Sequence, residues 1–188
     1  TEIIINHGWT EMGQGVFTMA VQFLCEATGV NPNFVKVKVD TSKEAPCGMT
    51  TASRGTSLIG NSVLDAGKKL KADLEKHSLA ELVGREYLGE WVCNWTTAIE
   101  DEVDEPKTHY SYSYATQVVT LDDSGKVDTV YAAHDAGRIV NPILFEGQLE
   151  GSVHMGLGYA LSEKFEMVEG RPVHTKLGKL GMIRAAAT

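Results

Sequence analysis

The sequence predicts an α+β fold of mixed sheet and helices, on three observations. Apolar residues recur at helical spacing in two long runs, Val- and Ile-rich stretches alternate like strands, and loops of small residues lie between them. Residues 2–5 (EIII) read as a short strand, followed by the loop NHGWTEMGQG. From Val16 the positions Val16, Ala20, Phe23, Leu24 and Ala27 mark one face of a helix. Gly29 reads as its C-terminal cap, with Pro32 just beyond. Val35, Val37 and Val39 then alternate with Lys36, Lys38 and Asp40, the period of a half-exposed strand.

The segment TSKEAPCGMTTASRGTS leads into a second helix, with Ile59, Val63, Ala66, Leu70 and Leu74 on its apolar stripe. The order strand, small-residue loop, helix therefore occurs twice. LAELVGREYL is assigned to a short helix and IEDEVDEP to a solvated acidic connection. Tyr110–Leu121 and Val127–Ala133 form a hairpin around the turn signal Asp122-Asp123-Ser124-Gly125. Asn141 and Pro142 supply the N-cap and first position of a third helix, which the glycines of FEGQLEGSVHMGLGYALSE are expected to interrupt. A last hairpin, FEMV-EGR-PVHT, follows.

With 188 residues, 43% of them hydrophobic and 22% charged, the chain is long enough to bury a core, and residues 1–188 are read as a single lobe. A first residue other than Met and a C-terminus without a stop signal of its own make it read as a piece of a longer protein. The net charge of -8 disfavours nucleic acid as a partner, and no apolar run is long enough to span a membrane. Three widely spaced cysteines suggest no disulfide framework, which points to a reducing, cytoplasmic setting.

Gly13-Gln14-Gly15 stands immediately before the first helix. It is no dinucleotide fingerprint, because Thr18 occupies the third glycine's place; Gly156-Leu157-Gly158 fails in the same way at Leu161. A tight capping turn explains the glycines, but Gln14 adds an amide able to donate and accept. The second candidate is Met49–Thr56, where Thr50, Thr51, Ser53 and Thr56 cluster with Ala52, Arg54 and Gly55. Hydroxyls and backbone N–H groups at a helix start suit a phosphate, and Arg54 can bind one with two hydrogen bonds. Locally, an N-capping loop with a solvated Arg is the slightly favoured reading. Gln148, among glycines on the third helix, repeats the opening logic, with a packed amide as the plain alternative. The six histidines show no HxH or HxxxH spacing and no CxxC exists, so no protein-ligated metal is expected. No nucleophile elbow occurs either, and no catalytic residue is assigned.

Taken together and in order, TEMGQG, TTASRGT and DAGRIVNP…GQLEGSVHMGLGYALSE resemble the molybdenum-binding subunit of the xanthine dehydrogenase and aldehyde oxidoreductase family of molybdenum hydroxylases. The resemblance runs from Thr10 to about Glu163 and implies one lobe of the molybdenum cofactor-binding domain. It implies a molybdenum held by the dithiolene of a pterin cofactor, in the cytosine dinucleotide form of bacterial relatives. Gly13, Gln14 and Gly15 would contact the pyranopterin and its phosphate region. Thr50, Thr51, Ala52, Ser53, Gly55 and Thr56 would line the metal and phosphate side, with Arg54 beside them, and Gln148 would hydrogen-bond the pterin. The implied reaction hydroxylates a heterocycle or aldehyde C–H with oxygen from water, and passes electrons to iron-sulfur and flavin (FAD) subunits or domains. The family's glutamate base and its first lobe are expected outside this chain, so the 188 residues alone should be inactive. Two other readings remain at this point: a non-catalytic assembly lobe, and a generic phosphate- or nucleotide-binding module.

Overall fold

The computed structural model describes residues 1–40, 42–43 and 45–184. Thr41 and Glu44 of the small-residue segment, and the last four residues, lie outside the described set. The chain divides into two compact units, Thr1–Ser111 and Tyr112–Thr188.

The first unit begins with β1 (Ile3–Asn6), α1 (Val16–Thr28) and β2 (Val35–Lys38). β1 and β2 pair in parallel, Ile3 opposite Val35 and Asn6 opposite Lys38, with α1 as the crossover that parallel strands require. Gly29 ends α1 as expected: its φ of +75° is left-handed and its N–H donates to the Cys25 carbonyl at 2.8 Å. The second helix, α2 (Gly55–Leu74), packs along α1. Trp9, Val16, Ala20, Leu24, Val35, Ile59, Val63, Leu70 and Leu82 form the core between them. Ile59 is 1% exposed, a burial that stabilises by about 1.5–3 kcal/mol.

Two glycines set how closely the helices approach. A Cβ on Gly60 would lie 2.7 Å from the Phe23 ring, and one on Gly67 would lie 2.9 Å from the Ala27 methyl. Both sit on the buried side of α2, beside the predicted stripe of larger apolar residues.

Residues 79–88 do not make the expected helix. Ser78 and Glu81 do form a helix-start box, with the Ser78 N–H and hydroxyl both donating to the Glu81 carboxylate at 2.7 Å. Only turns follow, however, and Gly84 at φ +88° ends them. The chain then straps along α2. Lys69 donates to the Leu88 carbonyl, Asp65 accepts from the Glu90 N–H, and Asp73 accepts from Arg85 and Tyr87. The strap lies so close that a Cβ on Gly89 would fall 2.0 Å from the Ser62 carbonyl oxygen. Further on, Thr97 and Lys107 close the acidic loop through two hydrogen bonds of 2.9 and 2.8 Å.

In the second unit, β3 (Tyr114–Leu121) and β4 (Val127–Asp135) form the expected antiparallel hairpin. Its turn is held by Asp122, whose carboxylate accepts from the Ser124 and Lys126 N–H groups. Asn141 caps α3 (Pro142–Leu161), accepting from the Leu144 N–H at 3.0 Å. This helix runs unbroken for 20 residues, so its glycines do not interrupt it. Glycine weakens a helix through backbone entropy but keeps its N–H, so the ladder of hydrogen bonds survives. A short hairpin, β5 (Met167–Val168) and β6 (Arg171–Pro172), follows. Helices and small sheets together make the mixed α+β class that the sequence predicts.

Candidate functional site

Two of the three sequence motifs meet in the first unit. The Thr10 N–H donates to the Thr50 hydroxyl at 3.0 Å, joining residues forty apart. Gly55, the first residue of α2, lies against Trp9 and Val16, the latter the first residue of α1. The starts of the two helices are therefore neighbours, with Gly13–Gly15 on one and Thr50–Thr56 on the other.

The first loop is organised by a residue outside the predicted set. Glu11 accepts from the Gly13 and Gly15 N–H groups at 2.9 Å through one oxygen, and from the Phe17 N–H at 3.1 Å through the other. Burial pulls its pKa up, but the N–H groups of Gly15, Phe17, Gly13 and Val16 outweigh it and hold the carboxyl below its ordinary value. The negative side chain thus takes the place at the start of α1 that an external anion would otherwise fill. A carboxylate four residues ahead of a cap glycine was the available signal.

Gln14 completes the loop. Its Oε1 accepts from the Met12 N–H at 2.6 Å, and its Nε2 donates to the Thr10 carbonyl at 2.7 Å. One N–H and one lone pair of the amide remain for a ligand. Gly13 and Gly15 have φ of +99° and +81°, backbone that a side chain at either position would strain, and a Cβ on Gly13 would meet no atom within 4 Å. Behind the loop, the His7 ring is 9% exposed and stands edge-on to Phe17. Its Nδ1 accepts from the Trp9 N–H, which assigns the proton to Nε2. Burial pushes the His7 pKa down, partly opposed by the charge of Glu11.

The second loop is built differently. α2 begins with Arg54 as its cap in helical backbone, without a side-chain capping bond. Among the described residues, no carboxylate bonds the first N–H groups of α2 as Glu11 does those of α1. Thr51, Ala52, Ser53 and Thr56 are exposed, while Thr50 and Gly55 are half-buried. Ala52 and Ser53 have φ of +58° and +50°, a left-handed pair without glycine. Arg54 folds back: Nη2 donates to the Met49 carbonyl at 2.7 Å, and the guanidinium lies 5.9 Å from the centre of the Trp9 ring. Gln148 belongs to the second unit, exposed on α3 with Gly147 and Gly151 near it in sequence. Among the described residues, no three of His, Cys, Asp and Glu come together as a metal-holding group. The site offers amides, hydroxyls and bare backbone, a donor set suited to a polar heterocycle and phosphate.

Comparison with known proteins gives the family of the chain. The molybdopterin cofactor-binding domain family matches residues 1–86 and 76–188. The chain belongs to that family. Among curated relatives, a probable xanthine dehydrogenase subunit of Bacillus subtilis (strain 168) is 28% identical over 90% of this chain and 27% of its own length. The xanthine dehydrogenase of Oryza sativa subsp. japonica is 27% identical over 87% of this chain and 13% of its own. Aldehyde oxidase 4 of Cavia porcellus is 24% identical over 87% and 14%. The resemblance to xanthine dehydrogenases and aldehyde oxidoreductases is borne out, and the chain spans about a quarter or less of the length of these relatives. In fold, it is similar to the Cu,Mo-CO dehydrogenase in its carbon monoxide reduced state, with a TM-score of 0.68 and 22% identity over all of this chain and 28% of the other. Reconstituted CO dehydrogenase from Oligotropha carboxidovorans gives a TM-score of 0.70 at 20% identity, with the same coverage. No helix among the described residues is long and apolar enough to cross a membrane.

Proposed function

We propose that this chain forms part of the cofactor cradle of a molybdenum hydroxylase similar to xanthine dehydrogenase. The observation that carries the reading is the pairing of two helix starts through Thr10 and Thr50, one closed by its own carboxylate and one open. In this reading Thr50, Thr51, Ala52, Ser53, Gly55 and Thr56 receive the phosphate side of the cofactor at the open start of α2. Gly13 and Gly15 let the pterin approach the backbone, and the free half of the Gln14 amide hydrogen-bonds its edge. Gln148 supplies a further amide. The cofactor, when bound, supplies the redox chemistry; these residues bind and orient it.

The reading extends to the whole protein. Residues 1–188 make one lobe of the molybdenum-binding subunit, and the cofactor carries a cytosine dinucleotide. The substrate is a heterocycle or aldehyde hydroxylated with oxygen from water, and the electrons leave through iron-sulfur and FAD partners in the cytoplasm. The glutamate base lies outside these residues, so the 188-residue chain alone has no turnover.

Molybdenum, pterin and released cytidine nucleotide, measured on the full-length protein purified from its host, test the proposal. Near-stoichiometric amounts of all three support it. Absence of molybdenum and of any cytidine nucleotide would refute it, and bound nucleotide without molybdenum would point instead to a nucleotide-binding module. Xanthine-dependent dye reduction by residues 1–188 alone would overturn the account of the missing base.

A further inference from the structure

Arg54 is the cation within the hydroxyl loop, and the sequence leaves it two tasks: gripping a phosphate or, slightly favoured, standing solvated beside a capping turn. Its contacts describe another task. Nη2 donates to the Met49 carbonyl at 2.7 Å, which ties the two ends of the segment 49–54 together. The guanidinium also lies 5.9 Å from the Trp9 ring centre, within cation–π range of a side chain that is 6% exposed. Gly48 provides the seat, since a Cβ there would come within 2.9 Å of Nη2. Nε is buried without a partner among the described residues, so the head is set inward despite losing hydration there. Between the tied ends stand Ala52 and Ser53, consecutive left-handed residues without glycine. Such backbone persists only where its surroundings over-determine it, and the Arg54 tie spans both residues.

We infer that Arg54 is a positioning residue that holds the Met49–Ser53 backbone in shape from behind, through the Met49 carbonyl, the Gly48 seat and the Trp9 ring, and does not itself bind the cofactor's phosphate. The inference rests on the reading that this loop receives the cofactor. It names which residues touch the ligand and which one shapes them. The partner loop is coupled as well, because the Thr10 N–H bonds the Thr50 hydroxyl of the same segment.

The test uses the full-length protein, with and without cofactor, as wild type, Arg54→Lys, Arg54→Met and Gly48→Ala. On cofactor-free protein, amide hydrogen exchange is followed at 49–56, at Thr10 and across α2. All three variants should speed exchange at 49–56 and Thr10 by about tenfold or more, equivalent to about 1.4 kcal/mol, with α2 unchanged. Lysine should not rescue, because an ammonium lacks the planar fork that bonds Met49 while lying over Trp9. On loaded protein, pterin retention during dialysis should fall alike in Gly48→Ala and Arg54→Met, and equally at low and high salt. If Gly48→Ala also loosens α2, the two Arg54 variants carry the test alone.

Unchanged loop exchange in Arg54→Met would overturn the inference. So would retention restored by Arg54→Lys and weakened by salt, which marks a phosphate ligand. Wild-type protein that never holds molybdenum would count against the proposed function instead, while loop exchange would still decide the role of Arg54.

Discussion

The two units bury their apolar residues to very different degrees. Thr1–Ser111 closes a core in which α1 and α2 meet through Gly60 and Gly67 and Ile59 is 1% exposed. In Tyr112–Thr188, α3 carries apolar residues around its whole circumference, yet among the described residues Gly158 is the one it buries. Ile143 and Tyr159 on it are 81% and 83% exposed, and Tyr114, Val118 and Tyr131 of the hairpin are exposed too. Apolar residues on every side of a helix are usual in an interior, so the second unit is expected to draw less stability from its own packing than the first.

The largest effect expected from that difference is all-or-none. Produced separately, residues 1–111 should melt cooperatively by circular dichroism. Residues 112–188 should show no cooperative transition and should bind a hydrophobic dye. A sharp melt with near-ultraviolet signal from 112–188 would break the comparison.

Single substitutions sharpen it. Ile59→Ala should lower stability to denaturant by about 2–5 kcal/mol, since it empties a closed core. Ile143→Ala in the same chain should stay within about 0.5 kcal/mol, having little burial to lose. An equal loss at both positions would show that α3 is packed after all.

Glycines give the next contrast. Gly89→Ala drives a methyl into the Ser62 carbonyl and should cost about 1–3 kcal/mol in chemical unfolding. Gly147→Ala meets nothing within 4 Å and should stabilise α3 by up to about 1 kcal/mol through helix propensity.

The smallest effects concern acid. Glu11 is held below its ordinary pKa in the folded state, so its contribution is complete above the unfolded value of about 4.3 and is lost as pH falls through the lower folded value. His7 is likewise depressed, mainly by burial. The unfolded state then takes up its proton first, and stability begins to fall below about pH 6.5. A melting-temperature profile of residues 1–111 should therefore decline in two steps on acidification. Glu11→Gln should shrink the lower step, which Glu2, Asp40, Asp65, Asp73 and Glu81 share because their partners also hold them below their ordinary values. It should cost about 1 kcal/mol at neutral pH, the usual size of a lost cap. A profile flat from pH 7 to pH 5 would count against the burial assigned to His7.

Much of this was readable in the chain because local rules sufficed. Gly29, Asn141-Pro142 and Asp122–Gly125 ended, began or turned their elements as their chemistry requires, and the alternation of Val35 and Val37 with lysines marked β2. Local rules failed where competing terms were close in size. The Ser78–Glu81 box formed, but only turns followed it before Gly84, and the glycines of α3 weakened a helix that their retained N–H groups still allowed. The sequence motifs marked the two loops but pointed to the residues with free donors, Gln14 and Arg54. Glu11 stood within the first motif but not among the candidate residues, because its role depends on which backbone N–H groups lie within reach of its carboxylate.

The order of residues thus determined which segments are helix, strand and turn, and which loops stand ahead of helices, because those depend on neighbours a few positions away. Only the tertiary structure decided that Thr10 meets Thr50, that Glu11 closes the start of α1 while the start of α2 stays open, and that Arg54 turns inward over Trp9. Each of these depends on a distance between residues far apart in sequence or on which of two polar groups reaches a donor first, and packing alone sets that distance.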